Sequence, residues 1–178
     1  MTKKISQHWQ QLVPSLAKSH EFVMLELLGA WYWEIVQELG DLVRIQDPLV
    51  VFLAETWLDK ARLAGIHDSL HFGHYYGVSR VFRDGGLVLF WKWDLNLSVE
   101  SSSQNHIDVL INKGRDNVWR FIGFYGAPET HNRIESWNLL KDLHKHFDVP
   151  WLCVGDFNKL LKLNEKQGGR LRPYWQMQ

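Results

Sequence analysis

The chain has 178 residues, a length that suits one domain and is short for two. Its 20 lysine and arginine residues balance 20 aspartate and glutamate residues, so no overall basic field favours nucleic acid, although a local basic groove stays open. Cys153 is the only cysteine, which excludes internal disulfides and multi-cysteine zinc sites. It favours an intracellular compartment, with nucleus and cytoplasm not distinguished. We find no signal segment and no apolar run of membrane-spanning length, so we expect a soluble, unsecreted protein without a membrane partner.

The start of the chain differs in pattern from the rest. We interpret residues 1–30 as an N-terminal extension or a divergent first strand, followed by one domain over residues 31–178. The run FVMLELL, at positions 22–28, fits either a strand or a buried helical turn, and the pattern alone leaves both open.

Clearer elements follow from Glu34 onwards. An apolar stripe with polar residues between its members predicts a helix that ends before Pro48. The continuous apolar run 49–54 is rich in β-forming residues, which predicts a strand buried on both faces. The segment that follows, through HFGHYYG, is interpreted as a loop region.

The second half of the chain alternates strands with one helix. Runs of β-forming or alternating apolar residues predict strands at 87–93, 95–99, 107–111, 118–125 and 151–154. Asn132 and Glu135 resemble a capping box, which predicts a helix ending before Pro150. We expect that helix to bury Ile134, Trp137, Leu140, Leu143 and Phe147. Strands outnumber helices, so the chain predicts an α/β or α+β layered domain.

Two carboxylates stand at the ends of predicted apolar strands. Glu55 directly follows one strand, and Asp156 follows another, with Asn158 two residues further on. A carboxylate in such a place is usually solvated, paired or bound to a metal, and two of them suit a hard cation such as Mg²⁺. The alternative is structural: Glu55 caps a following helix, and Asp156 opens a turn with Asn158.

Six short motifs occur in the following order: LAETWL, GGLVLFWK, RFIGFYGAPE, SWNLL, PWLCVGDFN and EKQGG. Together they resemble the endonuclease domains of plant LINE-type retrotransposons, which belong to the endonuclease/exonuclease/phosphatase superfamily with DNase I-like nucleases and apurinic endonucleases. The resemblance covers about residues 35–178, and the ordered set is far more specific than GDFN alone. It implies a four-layer α/β sandwich of the DNase I-like type, with two sheets face to face and helices outside.

The resemblance also implies roles for four residues. Glu55 matches the metal-binding glutamate, and Tyr125 matches a tyrosine near the scissile phosphate. Asp156 matches the aspartate that orients or deprotonates the attacking water, and Asn158 matches its phosphate-contacting neighbour. The implied chemistry is in-line hydrolysis of a phosphodiester with Mg²⁺ or Mn²⁺, and the implied partner is DNA.

Two motifs of that family are missing from this chain. There is no asparagine before Asn96 to match a Trp-Asn-x-x-Gly-like motif, of which Gly29 alone remains, and no Ser-Asp-His occurs up to Gln178. Loss of one preorganised electrostatic donor typically costs about 10² to 10³ in rate. We therefore expect a domain incomplete at its C-terminus and altered at its N-terminus, with a weakly held metal and impaired or absent activity. Sheet edges left exposed would favour aggregation or pairing with a partner.

Other features leave alternatives open. A non-catalytic remnant that binds nucleic acid or protein is the competing function, and the basic stretch from Lys159 to Arg172 fits either a DNA contact or a solvated face. Solvated histidines explain HFGH and HKH better than a zinc site does. A polar hairpin loop explains the serines at 101–103, and Cys153 is interpreted as a small core residue.

Overall fold

The computed structural model describes residues 22–26, 32–56, 60–78 and 86–158, which form eight strands and three α-helices. The strands are β1 (Phe22–Glu26), β2 (Val50–Thr56), β3 (His74–Val78), β4 (Gly86–Trp91), β5 (Leu97–Ser103), β6 (His106–Ile111), β7 (Trp119–Tyr125) and β8 (Trp151–Asp156). The helices are α1 (Tyr32–Gln46), α2 (Lys60–Leu70) and α3 (Arg133–Lys145), and a short 3-10 helix, Thr130–Asn132, leads into α3.

The strands form two four-stranded sheets. Sheet A has the order β1-β2-β4-β3, and sheet B has the order β5-β6-β7-β8. Each sheet has one parallel pair, β1 with β2 and β7 with β8, while the other neighbours run antiparallel. In both parallel pairs the two strands therefore end at the same edge of their sheet.

The largest core lies between the two sheets. Leu87 and Leu89 of β4 point into it, while Val88 and Phe90 of the same strand point outward, as the two-residue period of a strand requires. From sheet B, Phe121 reaches across and meets Phe52 of β2 edge to face, with ring centroids 6.5 Å apart.

Helices cover the outer faces of both sheets. Apolar residues of α1 and α2, such as Leu39 and Ile66, pack on sheet A, and Leu143 of α3 packs on Ile122 and Phe124 of sheet B. The order helices, sheet, sheet, helix confirms the four-layer α/β sandwich that the resemblance implies. Cys153 of β8 packs against the cluster between sheet B and α3 and is half-buried, so the prediction of a core residue is met only in part.

A buried ion pair ties α3 to sheet B. The Arg120 guanidinium donates two hydrogen bonds of 2.7 Å to the Asp108 carboxylate, and both side chains are 1% exposed. A further N–H of Arg120 donates to the carbonyl of Leu143, near the C-terminal end of α3, and the Phe147 ring lies 5.0 Å from the guanidinium carbon. The pair is bidentate and a third N–H of the guanidinium is also hydrogen-bonded, and such added hydrogen bonds help a buried charge to be tolerated.

Three predictions about local structure were wrong. The predicted loop after β2 contains α2 and β3. Leu63, Ile66 and Leu70 do form one helical face, but only these three large apolar residues mark it. The serines at 101–103 end strand β5, and the hairpin turn is at Gln104 and Asn105.

The third error concerns the buried face of α3. Ile134 is 70% exposed, and Ser136 is buried instead. Asn132 does occupy the N-cap position of α3, but its side chain makes no capping hydrogen bond.

At the start of the chain, β1 falls inside the segment that we assigned to an extension or a divergent first strand. Its backbone pairs with β2 from Phe22 beside Val50 to Glu26 beside Ala54. Across the portions of the chain that the structure describes, no helix is both long and apolar enough to cross a membrane.

The closest approach of the two sheets is at Gly123 of β7. A Cβ atom built on Gly123 would lie 2.4 Å from two ring carbons of Phe52. The Phe52 side chain is fully buried, so the ring has no room to retreat.

We predict that Gly123→Ala lowers the free energy of unfolding by about 1–3 kcal/mol, since overpacking forces the core to shift. Unfolding in urea would measure this change in the free energy of unfolding. The control is Gly40→Ala in α1, where a Cβ meets nothing within 4 Å and alanine should be neutral or stabilising by about 1 kcal/mol. Equal effects of the two substitutions would show that the sheets do not touch at Gly123.

Candidate active site

A bulge at the end of β2 sets the position of Glu55. The pairing of β2 with β4 is in register up to Leu53 and shifts before Thr56, and Glu55 between them has a φ of 56°. A left-handed conformation is rare for a residue that is not glycine, and such outliers persist where the surroundings enforce them. The bulge leaves Ala54 and Thr56 buried while Glu55 is half-buried. The side chain is thus re-aimed relative to a regular strand.

In sheet B, the candidate residues come from the ends of the parallel pair. Tyr125 is the last residue of β7, Asp156 is the last residue of β8, and the two are register partners. Parallel strands place their carboxyl ends at one edge, so the tyrosine and the carboxylate lie side by side there. Asp156 is half-buried, and Tyr125 is 8% exposed.

One hydrogen bond joins the two sheets at this edge. The Tyr125 hydroxyl donates to Oε1 of Glu55, across 70 residues of sequence. The other carboxylate oxygen of Glu55, Oε2, is buried and has no hydrogen-bond partner among the residues that the structure describes. Burial raises the pKa of the Tyr125 hydroxyl well above its usual range, and the hydrogen bond to Glu55 and its negative charge add to the effect. Tyr125 therefore stays a neutral donor at physiological pH.

A tight turn after β8 holds Asn158 beside Tyr125. The backbone N–H of Asn158 donates to Oδ1 of Asp156 over 2.8 Å, and Asn158 has a φ of 50°. The side-chain amide of Asn158 donates to the carbonyl of Gly126 over 2.6 Å and also contacts the Tyr125 hydroxyl. The turn predicted as the structural alternative for Asp156 thus exists, and it carries the side chains of the proposed site.

The turn depends on a close approach that only glycine permits. A Cβ on Gly126 would lie 2.6 Å from the carbonyl oxygen of Phe157, and a Cβ on Gly155 would collide with the carbonyl of Phe124. Gly126 lets the loop after β7 close against the loop after β8, and Gly155 lets β8 lie close to β7. The Gly126 N–H also donates to the carbonyl of Asp156 over 2.7 Å.

The side chain of Phe157 holds this turn against helix α3. Its ring stacks between Phe124, at 5.4 Å, and Trp137 of α3, at 6.0 Å. The ring of Phe157 packs on the α3 side. Because Phe157 lies between Asp156 and Asn158 in sequence, these two polar side chains point away from α3. Sequence reasoning assigned Trp137 to a helix core and missed this support role. The signal for it was the aromatic residue inside GDFN.

The donor set fits a hard divalent cation at Glu55. The buried, unpartnered Oε2 of Glu55 is an available carboxylate oxygen, and such an orphan is costly unless something charged meets it. No cluster of three or more His, Cys, Asp or Glu side chains suited to a metal occurs in the described parts of the chain. A single carboxylate remains sufficient for Mg²⁺, which keeps several waters and is often completed by substrate phosphate.

The structure places the other predicted features away from this edge or leaves them outside its description. His71, His74, His144 and His146 are all exposed. His74 stacks on Trp91, and His144 lies against Trp151. The basic stretch from Lys159 to Arg172 lies outside the described residues.

A two-sheet α/β sandwich with carboxylates and a tyrosine at the shared strand ends defines the class of DNase I-like proteins. The sequence matches the model of the "Endonuclease/Exonuclease/phosphatase family" over residues 29–166. The chain belongs to this family. No curated protein sequence matches it.

Solved structures of low sequence identity show the same fold. An AP endonuclease from Archaeoglobus fulgidus is 11% identical with a TM-score of 0.60, over 79% of this chain and 57% of the other. A family protein from Bacteroides thetaiotaomicron is 16% identical with a TM-score of 0.55, over 78% of this chain and 61% of the other.

A third similar structure is the endonuclease domain of TRAS1, a telomere-specific non-LTR retrotransposon. It is 12% identical with a TM-score of 0.52, over 78% of this chain and 60% of the other. This chain thus spans less than two thirds of the length of each of the three structures.

We predict that the Tyr125 hydroxyl does not ionise in the folded protein at a pH near 11, where an ordinary tyrosine with a pKa of about 10 is ionised. Alkaline titration followed by phenolate absorbance should give the same amplitude for the wild type and for Tyr125→Phe while both are folded. In denaturant the variant should fall short by one phenolate. A native titration in which the variant already lacks one phenolate would disprove the buried hydrogen bond to Glu55.

Proposed function

We propose that this protein is a Mg²⁺-dependent phosphodiesterase that nicks DNA, with Mn²⁺ as a substitute metal. The observation that carries the proposal is that Glu55 of sheet A meets Tyr125 and Asp156 of sheet B at one edge, with Asn158 in the loop directly after β8. All four are the residues that the motif resemblance assigned to such a reaction. The plant LINE type of those motifs, and the similar fold of the TRAS1 endonuclease domain, support DNA as the substrate.

In this proposal Glu55 holds the cation through its unpartnered oxygen. The bound cation would offset negative charge on the phosphoryl oxygens. Tyr125 remains protonated and donates to the carboxylate, so it orients Glu55 and keeps the second oxygen directed to the metal. Substitution of glutamine at position 55 would remove the charge but keep the hydrogen bond to the tyrosine.

Asp156 would act on the water. One of its oxygens accepts the backbone N–H of Asn158, which fixes the orientation of the carboxylate. Its other oxygen can accept a proton from the attacking water as the new phosphorus–oxygen bond forms and the bond to the leaving oxygen breaks. The Asn158 amide donates one N–H to the carbonyl of Gly126, and its other N–H would donate to a phosphate oxygen while the Tyr125 hydroxyl keeps its hydrogen bond to Glu55.

One donor of the motif resemblance is missing from this site. No asparagine occurs before Asn96 to match the Trp-Asn-x-x-Gly-like motif. Loss of one preorganised donor corresponds to about 10² to 10³ in rate. We therefore propose slow nicking.

The proposal is tested by nicking of supercoiled plasmid with Mg²⁺ or with EDTA. We expect slow, metal-dependent nicking that falls by at least about 10²-fold in Asp156→Ala and in Glu55→Gln, because each loses charge aimed at the reacting atoms. Asp148→Asn is the matched control, since this exposed carboxylate lies before β8 and outside the site.

Two results would contradict the proposal. Equal nicking by the wild type and Asp156→Ala would indicate a contaminating nuclease. A folded wild type that binds plasmid without metal, in a steeply salt-dependent way, and never nicks it would identify a non-catalytic binding protein instead.

A further inference from the structure

A polar cleft opens beside the proposed catalytic edge. It has a volume of about 350 Å³ and lies between the turn of the β5–β6 hairpin, the loop after β7 and the first turns of α3. Tyr125 belongs both to the lining of this cleft and to the proposed site, so a substrate held at the site extends towards the cleft. The volume is at the small end of ligand pockets, enough for one ring-sized group.

The walls of the cleft are fixed before any ligand arrives. On one side, the N–H of Tyr125 donates to the carbonyl of Asn105 over 2.7 Å, and the side-chain amide of Asn105 donates to the carbonyl of Tyr125 over 2.8 Å. On the other side, the N–H of Ala127 donates to the buried hydroxyl of Ser136 in α3 over 3.0 Å. Both walls are therefore fastened to the segment that carries Tyr125, which reduces the ordering cost of binding.

The charges of the lining exclude a phosphate as the preferred occupant. Glu129 and Glu135 line the cleft, and no Lys, Arg or His occurs among the described residues that line it. The nearest cation along the chain, Arg133, donates to the carbonyl of Pro128 and is outside the lining. The N-terminus of α3 contributes only about half a positive charge. The two negative charges of Glu129 and Glu135 exceed this partial positive charge.

The remaining lining groups are hydrogen-bonding amides. Gln104, Asn105 and Asn132 line the cleft, and the side chain of Asn132 is not used to cap α3 although it occupies the N-cap position. Carboxylates accept hydrogen bonds, and amides both accept and donate them. A neutral ring with several N–H or O–H groups meets these requirements.

We propose that this cleft is a subsite for an uncharged, donor-rich ring of the substrate, next to the phosphate group that is cleaved. The inference rests on the proposed function for its position beside the reacting group, but the binding itself needs no catalysis. A nucleobase and a sugar share this chemistry. The cleft itself disfavours a phosphate group because of its two carboxylates.

The test uses the full chain labelled with ¹⁵N, without metal, and follows the side-chain amide signals of Gln104, Asn105 and Asn132 by NMR. The probes are adenosine, methyl glucoside and inorganic phosphate. We expect adenosine or the glucoside to shift these signals at millimolar concentration and phosphate to leave them in place. A response to adenosine alone identifies a base subsite, and a response to the glucoside alone identifies a sugar subsite.

Glu135→Gln should weaken binding of the responding probe by about 3- to 10-fold, the loss expected for one hydrogen bond to a charged group that is partly exposed to water. Glu38→Gln on α1 is the matched control and should leave binding unchanged, because Glu38 is exposed and does not line the cleft. Phosphate that shifts the cleft amides more than the neutral probes do, or no response to any probe, overturns the subsite. Plasmid nicking is measured separately, so a failed subsite and a failed nuclease proposal give different results.

Discussion

The hydrogen bond from Tyr125 to Glu55 is the contact on which the proposed site depends. It is the point at which a side chain from sheet B meets a carboxylate from sheet A, and it leaves one oxygen of that carboxylate buried and unpartnered. A carboxylate in this state is unfavourable unless a cation or a donor completes it. The fold thus places a carboxylate that favours a bound cation at the edge where Asp156 and Asn158 also lie. In the proposed site, Tyr125 and Asn158 are neutral hydrogen-bond donors. The carboxylate of Glu55 would hold the metal, and that of Asp156 would act on the water.

Close packing brings the two sheets into range for that contact. Gly123 lets the ring of Phe52 lie directly on the backbone of β7, two residues before Tyr125. At the edge itself, Gly155 allows β8 to approach β7 at Phe124, and Gly126 allows the loop after β7 to close on the loop after β8. The stack of Phe157 with Trp137 holds the second loop on α3. Glu55, Tyr125 and Asp156 of the proposed site therefore lie at strand ends, which suits a preorganised site.

Much of this arrangement could be predicted from the sequence because strands and strand ends leave local signals. The apolar runs before Glu55 and Asp156 predicted two buried strands, of which β2 is buried and β8 is only half-buried, and the ordered motifs implied two sheets face to face. The bulge that turns Glu55, with its φ of 56°, has no such signal, because it arises from the register between β2 and β4. The contact between Tyr125 and Glu55 likewise spans 70 residues and comes from tertiary packing.

The errors have physical causes of the same kind. On a helix that turns about 100° per residue, Ile134 and Leu143 are nine positions apart and therefore on opposite faces. Ile134 faces solvent because Leu143 is buried. Helix α2 was missed because its short apolar face is stabilised by contacts with α1 and sheet A more than by its own composition. Glu26 is a position that sequence reasoning did not single out, although its backbone pairs with Ala54, one residue before Glu55.

The central claim is that a divalent cation binds at Glu55, between the two sheets. Its most direct test is the paramagnetic broadening of backbone NMR signals when Mn²⁺ is added to the ¹⁵N-labelled chain. The signals of Thr56 in sheet A and of Tyr125 and Asp156 in sheet B should broaden first and together, and Glu55→Gln should abolish this while the protein stays folded. Broadening that persists in Glu55→Gln, or that appears on one sheet alone, would contradict a shared metal site.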